Sequence, residues 1–244
     1  MNPRELIQNS ERTVTLPSGS GDRFAGYTVI GLPFLSGHVL AMRRFPASSL
    51  GPGYTSVWHR DPHGKWTFYS TVAPELSCAR YFGSQIEENV HAQIAIEWSG
   101  SDTFRVVSEC SRPVTWEITV EETVASRLMN LASRLVPDSW WQKRFMLRVM
   151  GLAAQVFLGT GKMNLVGLSP NGQEFTANPQ RVWLVKSSRA VINGVDLGPA
   201  GPLPTQARLN DFLIPQRGVF AVGRSSMENT SNAVLACQTG QRAA

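Results

Sequence analysis

Apolar and polar positions alternate through much of the chain. Val90, Ala92, Ile94, Ile96 and Trp98 share one face of an extended segment, with His91, Gln93 and Glu97 on the other. Val114, Trp116, Ile118 and Val120 repeat the pattern against Thr115, Glu117, Thr119 and Glu121. A period of two predicts strands that bury one face. Turn chemistry punctuates the rest. Tyr54–Arg60 and Trp66–Val72 flank Asp61-Pro62-His63-Gly64, with Pro second and Gly fourth. Leu165–Leu168 and Glu174–Ala177 flank Ser169-Pro170-Asn171-Gly172-Gln173, and Asn193-Gly194 separates Arg189–Ile192 from Val195–Leu197. Asn-Gly pairs suit the positive φ of tight hairpins. Gly26–Gly31 and His38–Arg44 add two strands joined through Pro33 and Gly37. Many short strands without βα alternation predict a barrel or a sandwich.

The period changes once, over about residues 123–158. From Ala125, apolar residues fall at Leu128, Leu131, Ala132 and Leu135, with Arg127, Asn130 and Arg134 opposite. That spacing is helical, and Pro137 ends the run. Ser139-Trp140-Trp141-Gln142 has the form of a capping box, so a second helix is expected from there to Leu158, with Gly159 placed to stop it. Arg144, Arg148, Gly151 and Gln155 make only a narrow polar stripe on that helix. A helix this apolar is buried on most sides, or faces lipid or a ligand. The expected organisation is a flexible lead-in over 1–23, a single β domain over 24–228 with a helical flap at 123–158, and a flexible tail over 229–244.

Composition narrows the partners. The chain has 244 residues and a formal net charge of +5. Arginine supplies 19 of the 23 basic residues, but no run of five occurs. Scattered basicity argues against a nucleic-acid partner. Cys78, Cys110 and Cys237 are far apart with no CxxC pair, which fits a reducing compartment. Met1–Asn9 has no apolar core of a secretory leader, and Phe145–Leu158 is too short and polar to span a bilayer. A cytoplasmic protein is expected. The basic, apolar stretch 140–158 could still rest on a membrane surface.

Familiar catalytic motifs are missing. Gly159-Thr160-Gly161-Lys162 lacks the first glycine of a phosphate loop, has Met163 where Ser or Thr would bind magnesium, and joins a helix to a strand, the reverse of the required order. His59 and His63 flank a Pro-Gly turn and need not converge, so no metal site and no cofactor are expected. Seven tryptophans are many for this length. Trp58, Trp66, Trp98, Trp116 and Trp183 lie in expected strands and Trp140 in the insert. They either fill an ordinary β core or line an apolar cavity. Glu97 and Glu117 sit on polar strand faces. They are solvated if those faces look outward, and raised-pKa general acids if they look into a cavity. His59 and Asp61 are further proton-transfer candidates. Arg189, Asp211 and Arg217 interrupt apolar strands, and either pair across one end of the barrel or orient a ligand.

Val57-Trp58-His59-Arg60-Asp61 with Gly64-Lys65-Trp66, Ile94–Trp98, and Val166–Gln173 with its Asn-Gly turn together resemble the lipocalin-like families of the carotenoid hydratase and Diels–Alderase type. The likeness covers about half of the chain, at the level of fold. It implies a lipocalin-like antiparallel β-barrel and cofactor-free hydration, isomerisation or cyclisation of an apolar terpenoid or polyketide. The expectation is therefore a mainly β protein with a helical insert that holds an apolar small molecule in its barrel. It is either a hydratase, isomerase or cyclase, or a non-catalytic carrier. A buried carboxylate in the cavity would favour the enzyme, and a dry, wholly apolar cavity the carrier.

Overall fold

The computed structural model describes residues 2–135 and 143–229. In chain order the elements are α1 (Pro3–Thr13), β1 (Asp22–Pro33), β2 (Val39–Ser48), β3 (Tyr54–Arg60), β4 (Trp66–Ser70), α2 (Ala79–Phe82), β5 (Glu88–His91) and β6 (Gln93–Trp98). Then come β7 (Thr103–Glu109), β8 (Val114–Glu121), α3 (Val124–Leu135), α4 (Arg144–Leu158), β9 (Val166–Leu168) and β10 (Glu174–Ile192). The short β11 (Val195–Asp196), β12 (Arg208–Leu209) and β13 (Phe212–Leu213) precede β14 (Val219–Glu228). The fold is mainly β, as the alternation predicts.

Ten strands form one path, β5-β4-β3-β2-β1-β14-β10-β8-β7-β6. Its two ends, β5 and β6, are separated only by Ala92, so a single extended segment pairs with β4 through one half and with β7 through the other. The sheet thereby nearly closes into a barrel. Every neighbouring pair along this path is antiparallel except β4–β5. A parallel pair requires a crossover. Residues 71–87 supply it, carrying α2 across the outside of the wall.

Alternate residues of the strands converge on one interior cluster. It includes Val29, Met42, Val57, Tyr69, Val106, Trp116, Ile118, Trp183 and Phe220. Rings fill the centre: Phe104 lies 5.3 Å from Phe220 and 4.8 Å from Trp98, and Trp183 lies 5.8 Å from Phe220. Among the described residues the barrel interior is packed by these side chains, where a ligand cavity was expected.

The N-terminal segment corrects another expectation. Residues 3–13 of the supposed lead-in are a helix, with Asn2 accepting from the Arg4 amide at 2.9 Å and Pro3 in the first turn. Ile7 is 2% exposed and belongs to the interior cluster. Glu11 accepts from the Tyr27 hydroxyl and from Arg44, which ties α1 to β1 and β2. The tail expected over 229–244 lies, beyond Asn229, outside the described residues.

The helical insert is present as α3 and α4. Gly159 ends α4 at φ +64, as its sequence position predicts. Lys143 is extended, so α4 starts at Arg144, later than the expected Ser139 cap, which lies outside the described residues. Both helices pack on β10, where Leu147, Ala154 and Leu158 meet Val182, Leu184 and Val219 on the outer face of the wall.

Candidate binding site

The outer face of β1–β4 is as apolar as the interior. Phe24, Val39, Ala41, Phe45, Trp58 and Phe68 form a second buried cluster, covered by Cys78, Tyr81 and Phe82 from the crossover and by Leu209 and Ile214. The crossover is pinned by side chains. Tyr81 Oη donates to Asp22 at 2.7 Å, and Tyr54 Oη accepts from the Cys78 amide at 3.1 Å while lying 2.9 Å from Cys78 Sγ.

Where this layer meets the Met163–Leu165 segment that follows α4, the wall carries small residues, and a cavity opens. Its floor includes Gly26, Thr28, Ala177, Ala221 and Gly223, with Arg43, Trp58, Phe82, Phe175 and Phe212 around them. It leaves room for the centres of water-sized spheres over about 90 Å³. Gly26 and Gly223 face each other across β1 and β14. A Cβ on either would come within 2.1 Å of a neighbouring carbonyl oxygen, of Arg44 and of Asn178 respectively. The backbone itself therefore excludes side chains from the floor.

One charged group lies at the bottom. Arg43 is 5% exposed and its guanidinium carbon sits 3.8 Å above the Trp58 ring, whose other face stacks on Phe68 at 4.2 Å. A cation on an indole face is held by the ring quadrupole. The Arg43 nitrogens also make long contacts of 3.3–3.4 Å with the carbonyls of Val29, Ile30 and Met42. Val29 and Ile30 flank a register shift in β1, where the ladder is interrupted. Burial pushes the Arg43 pKa down to about 10, against a smaller upward pull from Cys78 and Tyr54, so it stays charged at neutral pH. Burial also raises the Cys78 thiol and the Tyr54 phenol, which keeps both protonated there. Among the described residues no Asp, Glu, His or Lys lines the cavity.

Of the residues singled out from sequence, Trp58 alone is brought to this cavity. Trp98, Trp116 and Trp183 pack inside the barrel, Trp66 packs edge-on against Phe68, and Trp140 lies outside the described residues. Glu97 and Glu117 are exposed on the outer face, Glu97 paired with Arg105 at 2.8 Å. Their strand faces look outward, so neither meets the condition set for a buried acid. Arg189 is exposed and bound to Asp196 at 3.0 Å, Asp211 accepts from the Leu168 amide, and Arg217 reaches Glu121 at 3.9 Å. These three do not assemble. Asp61 accepts from the Lys65 amide within its turn. His59 stacks on His38, with Nε2 and Nδ1 2.9 Å apart, and burial above all, with the neighbouring His38, lowers its pKa to about 4. Neither histidine lines the cavity. No group of three His, Cys, Asp or Glu side chains able to hold a metal occurs among the described residues.

Arg43, Cys78, Tyr54 and Phe212 were not expected. The signal for Arg43 is in β2: Val39, Ala41, Arg43 and Phe45 share one face, and a lone charge on an apolar face marks a buried polar group.

No family model matches the sequence, neither that of a carotenoid hydratase nor that of a Diels–Alderase, and no curated protein matches it. Among solved structures, that of acetoacetate decarboxylase from Legionella pneumophila subsp. pneumophila str. Philadelphia 1 aligns over 89% of this chain and 88% of its own. The alignment has 11% identity and a TM-score of 0.38.

Proposed function

We propose that this protein binds an apolar small molecule in the cavity between the barrel wall and its outer layer, and acts as a carrier or binding protein. The supporting observation is the lining: mostly aromatic, aliphatic and small side chains, with amides, hydroxyls and the two arginines Arg43 and Arg224 among them, and no carboxylate, imidazole or amine among the described residues to move a proton at neutral pH. Pockets of this composition take up apolar ligands largely preformed. A hydratase, isomerase or cyclase acting on a terpenoid or polyketide would have to draw its proton from the Tyr27 phenol or the Cys78 thiol of the lining, both of which burial holds in the neutral form. The test is titration with N-phenyl-1-naphthylamine, a neutral fluorescent probe. Wild type is expected to bind it, and Ala177→Trp, which fills the floor, to lose at least about tenfold in affinity. Equal binding by a folded Ala177→Trp variant would place the probe elsewhere and overturn this reading.

A second reading concerns the α3–α4 hairpin. Among the described residues, eight of the eleven large exposed hydrophobic residues lie on it, including Val124, Leu128, Phe145, Leu152, Val156 and Phe157. Arg127 and Arg148 are exposed on the same two helices. An apolar face of this size with flanking cations fits the headgroup region of an anionic membrane. No helix among the described residues is long and apolar enough to cross one. Wild type should cosediment with phosphatidylglycerol-containing vesicles, and the double variant Leu152→Asp/Phe157→Asp should not. Failure of wild type to cosediment ends this reading.

A further inference from the structure

The reading of the cavity as an apolar pocket leaves three of its lining groups unexplained: the Arg43 guanidinium, the Trp58 indole N–H and the Asn178 amide oxygen, the last two buried without a hydrogen-bond partner. Arg43 carries five N–H donors. Three contacts occupy it, two from Nη1 and one from Nη2, each at 3.3–3.4 Å. Those contacts are longer than the usual 2.7–3.2 Å of N–H···O bonds. No acidic side chain among the described residues pairs with Arg43; its nearest ionisable neighbours are the protonated Cys78 and Tyr54. A buried, charged guanidinium without an anion is costly to the fold. Trp58 is 1% exposed, and its indole N–H, a donor with no acceptor capacity, has no hydrogen-bond partner. Arg43 and Trp58 both line the cavity and lie in contact with each other.

Resting on the proposed binding function, we infer that the ligand carries a carboxylate, and that Arg43 and Trp58 are the groups that receive it at the base of the cavity. The ligand class is thereby an amphipathic organic acid with an apolar body. Its carboxylate supplies the negative charge that the guanidinium lacks and an acceptor for the indole N–H. Its body lies over the Gly26–Gly223 floor beneath Phe82, Phe175 and Phe212. Stacking on Trp58, itself backed by Phe68, fixes the plane of the guanidinium before the ligand arrives. A planar fork held in place suits a planar carboxylate better than a point charge would.

The competing account is that Arg43 serves only to satisfy the interrupted β1 backbone at Val29 and Ile30. A matched pair of probes separates the two. Parinaric acid and its methyl ester share one fluorescent polyene chain and differ only in the charge of the head. At pH 8, wild type is expected to bind the acid about tenfold or more tighter than the ester, the fold-change typical of one charge-assisted hydrogen-bonded contact. Arg43→Met keeps an unbranched apolar stem and should bring the two affinities within about twofold, chiefly by weakening the acid. Trp58→Phe keeps a ring under Arg43 and removes the N–H; it should reduce the preference for the acid and leave the ester unchanged.

If wild type binds neither probe, the cavity reading fails with the carboxylate reading. If wild type binds both equally, the cavity stands and the carboxylate assignment falls. A preference for the acid that survives in Arg43→Met also overturns the assignment. Should Arg43→Met fail to fold, the wild-type comparison and Trp58→Phe still decide, and an unchanged preference in Trp58→Phe removes the indole from the site.

Discussion

Replacing Asn130 tests how the helical layer is fastened to the barrel. β10 pairs with β9 over residues 174–176 and with β8 over residues 184–192. Between these stretches one edge of β10 has no strand beside it. Asn130 on α3 lies there, 7% exposed, donating from Nδ2 to the Val182 carbonyl at 2.9 Å and accepting from the Val182 amide at 2.8 Å. One side-chain amide thus mimics a strand neighbour. Asn130→Leu keeps the volume and leaves a backbone donor and acceptor buried without partners. Each such group costs about 1–3 kcal/mol, so the expected loss is about 2–5 kcal/mol, toward the lower end where water reaches the edge. Urea unfolding followed by intrinsic Trp fluorescence measures the loss, and amide exchange at Val182 reports whether the edge has opened. A loss below about 0.5 kcal/mol with Val182 still protected would refute the reasoning, since it would mean that the amide pair contributes nothing the leucine cannot replace.

Other outcomes follow from the same geometry. His59 has a folded pKa of about 4 against 6.5 for the free side chain, so between those values the unfolded chain holds a proton that the folded chain does not. Stability should therefore fall as pH drops from 6.5 toward 4, by up to about 1.4 kcal/mol per pH unit from this group. His59→Gln should flatten that slope in urea titrations, and an equally steep slope in the variant would assign it to other groups. Glu97→Gln and Glu117→Gln alter exposed side chains and should each shift stability by no more than about 0.5 kcal/mol without changing probe affinity; a tenfold loss of affinity in either would bring that strand face back into the site. Gly151→Val should push α4 off the segment beneath it, because a Cβ there would lie 2.4 Å from the Met163 carbonyl oxygen. The expected cost is about 1–3 kcal/mol with weaker probe binding, and wild-type thermal unfolding would contradict it.

Strand and helix existence could be read from the chain because each signal was local. The Asp61–Gly64 turn forms with Gly64 at φ +93, and Asn193-Gly194 takes φ +49 and +80. The inward set Val114, Trp116, Ile118 and Val120 is buried as alternation requires. Faces proved harder than elements. A strand with Arg43 and Phe45 on one side and Met42 on the other is apolar on both, and period two cannot say which side is the interior. The tryptophans were legible as core or cavity, and the choice depended on barrel closure, set by the parallel β4–β5 pairing that no residue announces. The helix at residues 3–13 was missed because its face is narrow: Pro3 and Ile7 are its buried residues, set among polar neighbours. The His38–His59 contact joins residues 21 apart on neighbouring strands, and only the β2–β3 register brings them together.

The position of the cavity follows from the packing of the barrel. Ten strands whose inward positions carry Trp, Phe, Leu, Ile and Val leave no room inside. A ligand site must then lie on the outer face, and needs a second layer to enclose it. The crossover demanded by the parallel pair supplies part of that layer, and the α3–α4 insert supplies another part at its own buried face. The mouth lies where the two coverings fail to meet, over glycines and alanines that the wall presents there. The apolar body of a ligand would be held between side chains of the covering layer such as Phe82 and Phe212, whereas its polar head would meet Arg43 and Trp58 on strands β2 and β3. Rigid strands fix donors to a tighter tolerance than loops do. Selection for head-group chemistry should therefore be stricter than selection for chain shape, and loosening the covering layer should change affinity for acid and ester alike.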